Sequence, residues 1–313
     1  MFKIAVIGTG SMGLSHIEAL AKVDDLSLCA LCDTNEEIAK ELSKKYGVPY
    51  FTDYKKIPAA VDVDAVIINL PHFLHCESTV FFLENGIHVF VEKPMANTVA
   101  ECDKMLEAAR KNNKKLAVGH IRRFIPNYIK VKEIAETCDL GKFCMYIETR
   151  NENYFQESRP KWFLDKEKSG GGVSRNFGAH AMDALFYLLG PQDVKVCGNL
   201  ANFKNEASIE AHAQFLVSFQ DGSSAAITLG GYQYVPAYSE YFFTNGTIRI
   251  FDDGNVAYRT GREWIEAKKN DNEKQPTVYQ LEEFAKFLKG EPAITPDGAY
   301  GKAIIAALEQ LDH

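Results

Sequence analysis

Four groups of residues in this chain have types and spacings suited to chemistry. The first is Lys93, an amine closing the apolar run Ile87-His88-Val89-Phe90-Val91 within Glu92-Lys93-Pro94. In an open α/β sheet ligands bind beyond the carboxyl ends of buried strands, so an amine placed there can give or take a proton. Pro94 cannot extend the ladder, and its peptide bond can turn cis and re-aim the lysine. The second group is Gly8-Thr9-Gly10-Ser11-Met12-Gly13. Gly8 permits a tight turn, Gly10 the approach of a pyrophosphate, and Gly13 close packing of helix on strand. The helix opening at Ser11 and Met12 turns its N–H groups and positive end toward phosphate. The third is Asp33, about twenty residues past Gly13, where a carboxylate accepts hydrogen bonds from a ribose and repels a 2′-phosphate. Thr34 and Asn35 supply no arginine for that phosphate, so the spacing favours NAD over NADP. The fourth is Gly170-Gly171-Gly172 opening a helix that carries Asn176, His180 and Asp183. Their i, i+4, i+7 spacing puts them on one face, where His180 can act as a base near neutral pH, and the glycines let a ligand approach the backbone.

The elements that must position these groups can be read from hydrophobic period. Short apolar runs at 3–8, 26–32, 64–70, 86–92 and 115–119 alternate with amphipathic stretches at 14–21, 36–46, 77–85 and 100–112. Strands and helices in strict turn imply right-handed crossovers and a doubly wound parallel sheet. Asp33 or Thr34 can also cap the helix at 36–46. After Gly119-His120-Ile121 the rhythm changes. A helix at 127–137 precedes strands at 143–152, 194–200, 211–218, 225–229, 239–244, 247–251 and 256–259, with Asp221-Gly222 and Asn245-Gly246 as hairpin turns. Two amphipathic helices, 278–289 and 298–311, close the chain. The expected organisation is a dinucleotide-binding domain over 1–121 and an α+β domain over 122–313.

Composition narrows the function classes. The chain has 313 residues, 46% hydrophobic and 25% charged, enough for two cores of ordinary size. A net charge of −7 argues against nucleic acid or an anionic membrane as the main partner. No apolar run reaches the length of a membrane span, and Met1-Phe2-Lys3 leads straight into a strand. Seven scattered cysteines read as reduced thiols, so a cytoplasmic location is expected. Cys29 and Cys32 fall on opposite faces of a strand and read as core. His72, His75, His120 and His180 form no set with metal-ligand spacing, and no metal is expected.

Taken together, GxGxxG, Asp33, Asn69-Leu70-Pro71-x-x-x-His75, Glu92-Lys93-Pro94, Arg122-Arg123-Phe124, Gly170-Gly171-Gly172 leading to His180, and Gln280-Leu281-Glu282-Glu283-Phe284 resemble the glucose–fructose oxidoreductase, inositol dehydrogenase and rhizopine catabolism (Gfo/Idh/MocA) family. The resemblance implies a Rossmann domain followed by an α+β domain with a large, mostly antiparallel open sheet used for homodimer or homotetramer contacts. It implies NAD-dependent hydride transfer on a sugar, polyol or related carbonyl, with Lys93 and His180 as catalytic residues. It places Asn69, Pro71, His75, Glu92 and Lys93 beside the cofactor, and makes Arg122, Arg123, Trp162, Arg175 and Asn176 candidates for the substrate side. The family pattern has aspartate where this chain has Asn176, and an amide cannot hold the charge that makes a neighbouring base stronger. That departure keeps two alternatives open: a glycosidase using tightly held NAD, and a non-catalytic cofactor-sensing protein.

Overall fold

The structure, a computed structural model, describes residues 1–203, 207–232, 234–268 and 274–312. In chain order the first part reads β1 (Phe2–Ile7), α1 (Ser11–Leu20), β2 (Leu26–Cys32), α2 (Glu36–Tyr46), β3 (Tyr50–Phe51), α3 (Ile57–Ala60), β4 (Ala65–Ile68), α4 (His75–Glu84), β5 (His88–Glu92), α5 (Val99–Lys111) and β6 (Leu116–Gly119). Next come α6 (Pro126–Thr137), β7 (Phe143–Asn151), α7 (Lys166–Ser169), α8 (Val173–Leu189), β8 (Lys195–Ala201), β9 (His212–Ser218), β10 (Ser224–Gly230), β11 (Val235–Phe243), β12 (Thr247–Ile250), β13 (Val256–Arg259) and β14 (Ile265–Glu266). Helices α9 (Pro276–Lys289) and α10 (Gly298–Glu309) follow. The chain divides into two compact units, 1–121 with 274–302 and 122–273 with 303–313.

Among the described residues the first unit holds a six-stranded sheet in the order β3-β2-β1-β4-β5-β6, with every pair parallel. The order reverses between β1 and β4, which opens a crevice beyond their carboxyl ends. Ile4, Val6, Ala65, Ile67, Val89 and Val91 are fully buried, as expected of strands covered on both faces. Helix α2 is capped by Asn35, whose side chain accepts from the Ile38 N–H, rather than by Asp33 or Thr34. Asp33 is committed elsewhere, to Thr9.

Residues 274–302, expected in the second domain, belong to the first unit. Val278, Leu281, Phe284 and Leu288 of α9 join one core cluster with Ile4, Val6, Ile17, Leu20 and Phe90. Burial at roughly 1.5–3 kcal/mol per large apolar side chain fixes the helix there.

The second unit carries, again among the described residues, an eight-stranded sheet in the order β14-β13-β12-β11-β7-β10-β9-β8. All pairs are antiparallel except β7 with β10. Strand β9 shows its two faces: Ala213, Phe215 and Val217 are buried while Gln214, Leu216 and Ser218 are exposed. The buried face lies under α8 and α10, where Gly178 leaves room for Leu308 and Phe215. Strands β3 and β14, two residues each, carry too little pattern to be read from sequence. No helix among the described residues is long and apolar enough to cross a membrane.

Candidate functional site

The first unit gathers its polar groups at the carboxyl ends of β1, β2, β4 and β5. Gly8 has φ +85° and sits so close to β4 that a Cβ would lie 2.6 Å from the Asn69 carbonyl oxygen. A Cβ on Gly13 would meet the Gly8 carbonyl oxygen at 2.0 Å, so the turn and α1 are packed backbone to backbone. A Cβ on Gly10 would meet nothing within 4 Å; its open side faces away from the protein's own atoms. Gly10 is the N-cap of α1 and no side chain caps it, so the first-turn N–H groups at Ser11 and Met12 stand ready for an acceptor. The buried Oδ1 of Asn69 has no hydrogen-bond partner among the described residues.

Asp33 reaches back to this turn. Its Oδ2 accepts from the Thr9 N–H at 2.8 Å and the Thr9 hydroxyl at 2.7 Å, and its Oδ1 accepts from the Asn35 N–H at 2.9 Å. The carboxylate is thus held beside the glycine loop. An uncapped helix end, an open glycine and a fixed carboxylate make a donor set that fits the phosphates and a ribose of a dinucleotide.

Lys93 follows β5, half-buried, and the Lys93–Pro94 bond is cis. Glu92 is buried, and its Oε1 meets His16 Nε2 at 2.9 Å while Oε2 accepts from the Lys93 N–H at 3.1 Å. Burial alone would raise the Glu92 pKa. The hydrogen bond from His16 and the charge of Lys93 hold it below the usual carboxylate range. His75, fully buried, does not offer a ring nitrogen to a cofactor: Nδ1 lies 2.9 Å from the Pro94 carbonyl oxygen and Nε2 2.8 Å from that of Leu70. Burial pushes its pKa down, against the pull of those carbonyls.

In the second unit, helix α8 begins at Val173, early enough to carry Asn176, His180 and Asp183 on one face. The glycine run before it makes room for the chain itself. A Cβ on Gly172 would lie 1.9 Å from the Glu210 carbonyl oxygen. Glu210 Oε1 accepts from the N–H groups of Gly172 and Ser174 and from the Ser174 hydroxyl. The positive end of α8 is therefore answered by Glu210. Asn176 is buried and its Nδ2 donates to the Tyr154 hydroxyl at 3.3 Å; His180 is half-buried.

Three arginines offered by the sequence are paired within this unit. Arg122 makes a bidentate, buried bridge to Glu148 at 2.8 and 2.6 Å. Arg123 bonds Asp183 at 2.8 Å, and Arg175 pairs with Asp312. Trp162 stacks on Phe163, with centroids 3.8 Å apart. A cleft of about 280 Å³ in this unit is lined by Arg122, Thr149, Arg150, Glu152, Tyr238 and Phe251 among others. Sequence reading passed over His16, Tyr154 and Glu210, whose partners lie far along the chain. No group of three or more histidine, cysteine, aspartate or glutamate side chains among the described residues is arranged to hold a metal ion.

Both halves of the chain match known proteins. Residues 2–120 match the "Oxidoreductase family, NAD-binding Rossmann fold", and residues 128–249 match the "GFO/IDH/MocA C-terminal domain". The 2,7-anhydro-N-acetylneuraminate hydratase of Mediterraneibacter gnavus is 25% identical over 305 residues, which is 93% of this chain and 80% of that protein. The scyllo-inositol 2-dehydrogenase (NADP(+)) IolU of Bacillus subtilis is 25% identical over 98% of this chain and 94% of its own length. The aldose-aldose oxidoreductase of Caulobacter crescentus, solved with glycerol, shares the fold with a TM-score of 0.89 at 23% identity, covering 98% of this chain and 95% of that one. With its glycine turn, its Glu92-Lys93-Pro94 strand end and both domains matched, the chain belongs to the Gfo/Idh/MocA family of oxidoreductases.

Proposed function

We propose that the protein is an NAD-linked dehydrogenase or reductase acting on a hydroxyl or carbonyl of a sugar, polyol or related compound. The observation that carries the reading is the Asp33 carboxylate, fixed by Thr9 beside the glycine turn with no arginine near it in sequence. It supports NAD over NADP. The named relatives act on sugar-like and inositol compounds, which supports the substrate class.

When bound, the nicotinamide accepts or returns the hydride. Lys93 takes the hydroxyl proton as the alcohol becomes a carbonyl, and returns it in the reverse direction. Glu92 fixes the start of the Lys93 side chain, while Asn69, Pro71 and the first turn of α1 hold the dinucleotide. On the substrate side His180 serves as second base or anchor and Asn176 as a neutral donor and acceptor, with Trp162 as a wall. Arg123 and Arg175 brace α8 through Asp183 and Asp312. The open face of the second unit's sheet supports a homodimer or homotetramer, and seven free cysteines support a cytoplasmic location.

The test is Lys93→Met. Cofactor affinity should stay within about threefold of native while turnover falls by roughly a hundredfold or more. Native turnover in this variant refutes the assignment. A second reading is favoured by two observations: a hydratase is among the relatives, and Asn176 stands at the family's aspartate. In that case NAD works transiently, and product forms from a sugar-like substrate without net accumulation of NADH.

A further inference from the structure

Lys93 is flanked by two residues, and each is gripped by a buried histidine from a different helix. On one side is Glu92. Its carboxylate lies over β6, where the register sets it opposite Gly119. Any side chain there would collide with it, since a Cβ on Gly119 would fall 2.9 Å from Glu92 Oε1. His16, on α1 one turn beyond Gly13 and fully buried, reaches this carboxylate with Nε2 at 2.9 Å. Its ring packs edge-on against Phe90, with centroids 5.4 Å apart. His16 Nδ1 has no partner among the described residues, so Nε2 is the nitrogen whose proton faces Glu92.

On the other side is Pro94. Its carbonyl oxygen lies 2.9 Å from Nδ1 of His75, the first residue of α4, whose Nε2 reaches the Leu70 carbonyl oxygen after β4. The ring ties the loop carrying Lys93 to the loop beside the glycine turn.

We propose that His16 and His75 are positioning residues for Lys93, each immobilising one of its two chain neighbours. The proposal rests on the reading of Lys93 as the proton-transfer group. A lysine side chain turns about several bonds, so holding the backbone it springs from narrows where its amine can lie. Glu92 adds a second effect, because an ionised carboxylate beside the amine favours the ammonium form. The charged and titratable groups facing Glu92 are His16 from α1, Lys93 beside it and His75 from α4. Removing the His16 donor leaves a buried carboxylate short of one hydrogen bond, which favours its protonation and strips Lys93 of a neighbouring charge.

The experiment compares His16→Leu, which fills the space without a donor, with His16→Gln, which returns an amide N–H toward Glu92. The first readout needs no substrate: the pH dependence of Lys93 acylation by acetic anhydride, followed by mass spectrometry. In His16→Leu the midpoint should fall by about one pH unit. Turnover should drop roughly tenfold or more with KM and NAD affinity near native, and His16→Gln should recover to within about threefold. His75→Phe, which keeps the ring and loses both contacts, should lower turnover without moving NAD affinity more than about threefold. His16→Asn, too short to reach Glu92, replaces His16→Leu should the latter fail to fold, with the same expectation. A native midpoint and native turnover in the donor-less variant overturn the proposal, as does a His16→Gln variant no better than His16→Leu. Lys93→Met run alongside separates the two ideas. Native turnover there refutes the role of Lys93, whereas the acylation midpoint judges His16 independently.

Discussion

Replacing Asp33 by asparagine changes one charge and, because of how the carboxylate is held, one hydrogen bond. Both oxygens accept from backbone N–H groups, Oδ2 from Thr9 and Oδ1 from Asn35. An amide in that place must point its NH2 at one of them. The mismatch disturbs the glycine turn by about 1–3 kcal/mol and weakens every dinucleotide alike. The informative quantity is therefore the ratio of NADP to NAD affinity within each protein, from which this common loss cancels. The charge does not cancel. Two like unit charges about 5 Å apart repel by under ~1 kcal/mol in water and by ~3 kcal/mol at an effective dielectric near 20. Asp33 is half-exposed and a 2′-phosphate carries close to two charges, so the penalty lands at about 1.4–2.8 kcal/mol, a factor of roughly ten to a hundred. Titration of both cofactors into native protein and Asp33→Asn should show the ratio moving toward NADP by that factor. The change should shrink as salt is raised, because a half-exposed charge is screened. An unchanged ratio refutes the reasoning, and so does native protein that binds NADP more tightly than NAD.

Other consequences follow from the same geometry. Asn176→Asp trades a donor for a charge next to the Tyr154 hydroxyl, which can donate to the new carboxylate, so the protein should fold. Affinity for the native substrate should fall by about 1–3 kcal/mol, measured by calorimetry, with weak polyol oxidation appearing in an NADH assay; unchanged affinity contradicts the anchor role of Asn176. His88 Nδ1 accepts from the Lys115 N–H at 2.9 Å. Burial, with Lys114 and Lys115 nearby, pushes its pKa down to about 4. The unfolded chain takes up this proton near pH ~6.5, so the stability due to neutral His88 is complete above that and is lost as pH falls toward 4. Because the ring is half-exposed, about 1–2 kcal/mol of acid sensitivity is expected, and His88→Gln should remove it in thermal melts between pH 7 and 4.5.

The sequence made the alternating unit legible because strands such as 65–68 are apolar throughout and can only be buried on both faces. Asp33 was legible because its distance from Gly13 is set by one crossover. What is not legible is which partner a face or a charge finds. The stripe of α9 announces a buried side, yet nothing local says that it packs on Ile17 and Phe90 in the first unit rather than on the second. A glycine run signals a close approach without naming what approaches; here it is Glu210, 38 residues away from Gly172. The partners of His16 and Arg123 lie 76 and 60 residues along the chain. Such pairs depend on topology, and a single sequence carries no trace of them.

The pairing of the arginines bears on what the second unit can recognise. Read as types, Arg122, Arg123 and Arg175 invite a carboxylate or phosphate ligand, since a guanidinium forks onto either. Each is instead answered by a carboxylate of the chain: Glu148, Asp183 and Asp312. For Arg122 and Arg123 the partners are buried, and stripping one away to free a guanidinium would leave a charge unpaired, at a cost of roughly 3–5 kcal/mol. An anionic substrate would have to exceed that before gaining anything. A ligand made of hydroxyls meets no such barrier. Asn176 gives one donor and one acceptor, His180 can do either with its two ring nitrogens, and neither adds a fixed charge. The neutral amide at 176 thus belongs with the internally balanced arginines beside it. With those three guanidiniums already answered, Asn176 and His180 remain as neutral groups that can give and accept hydrogen bonds, which accords with the proposed hydroxyl-bearing substrate.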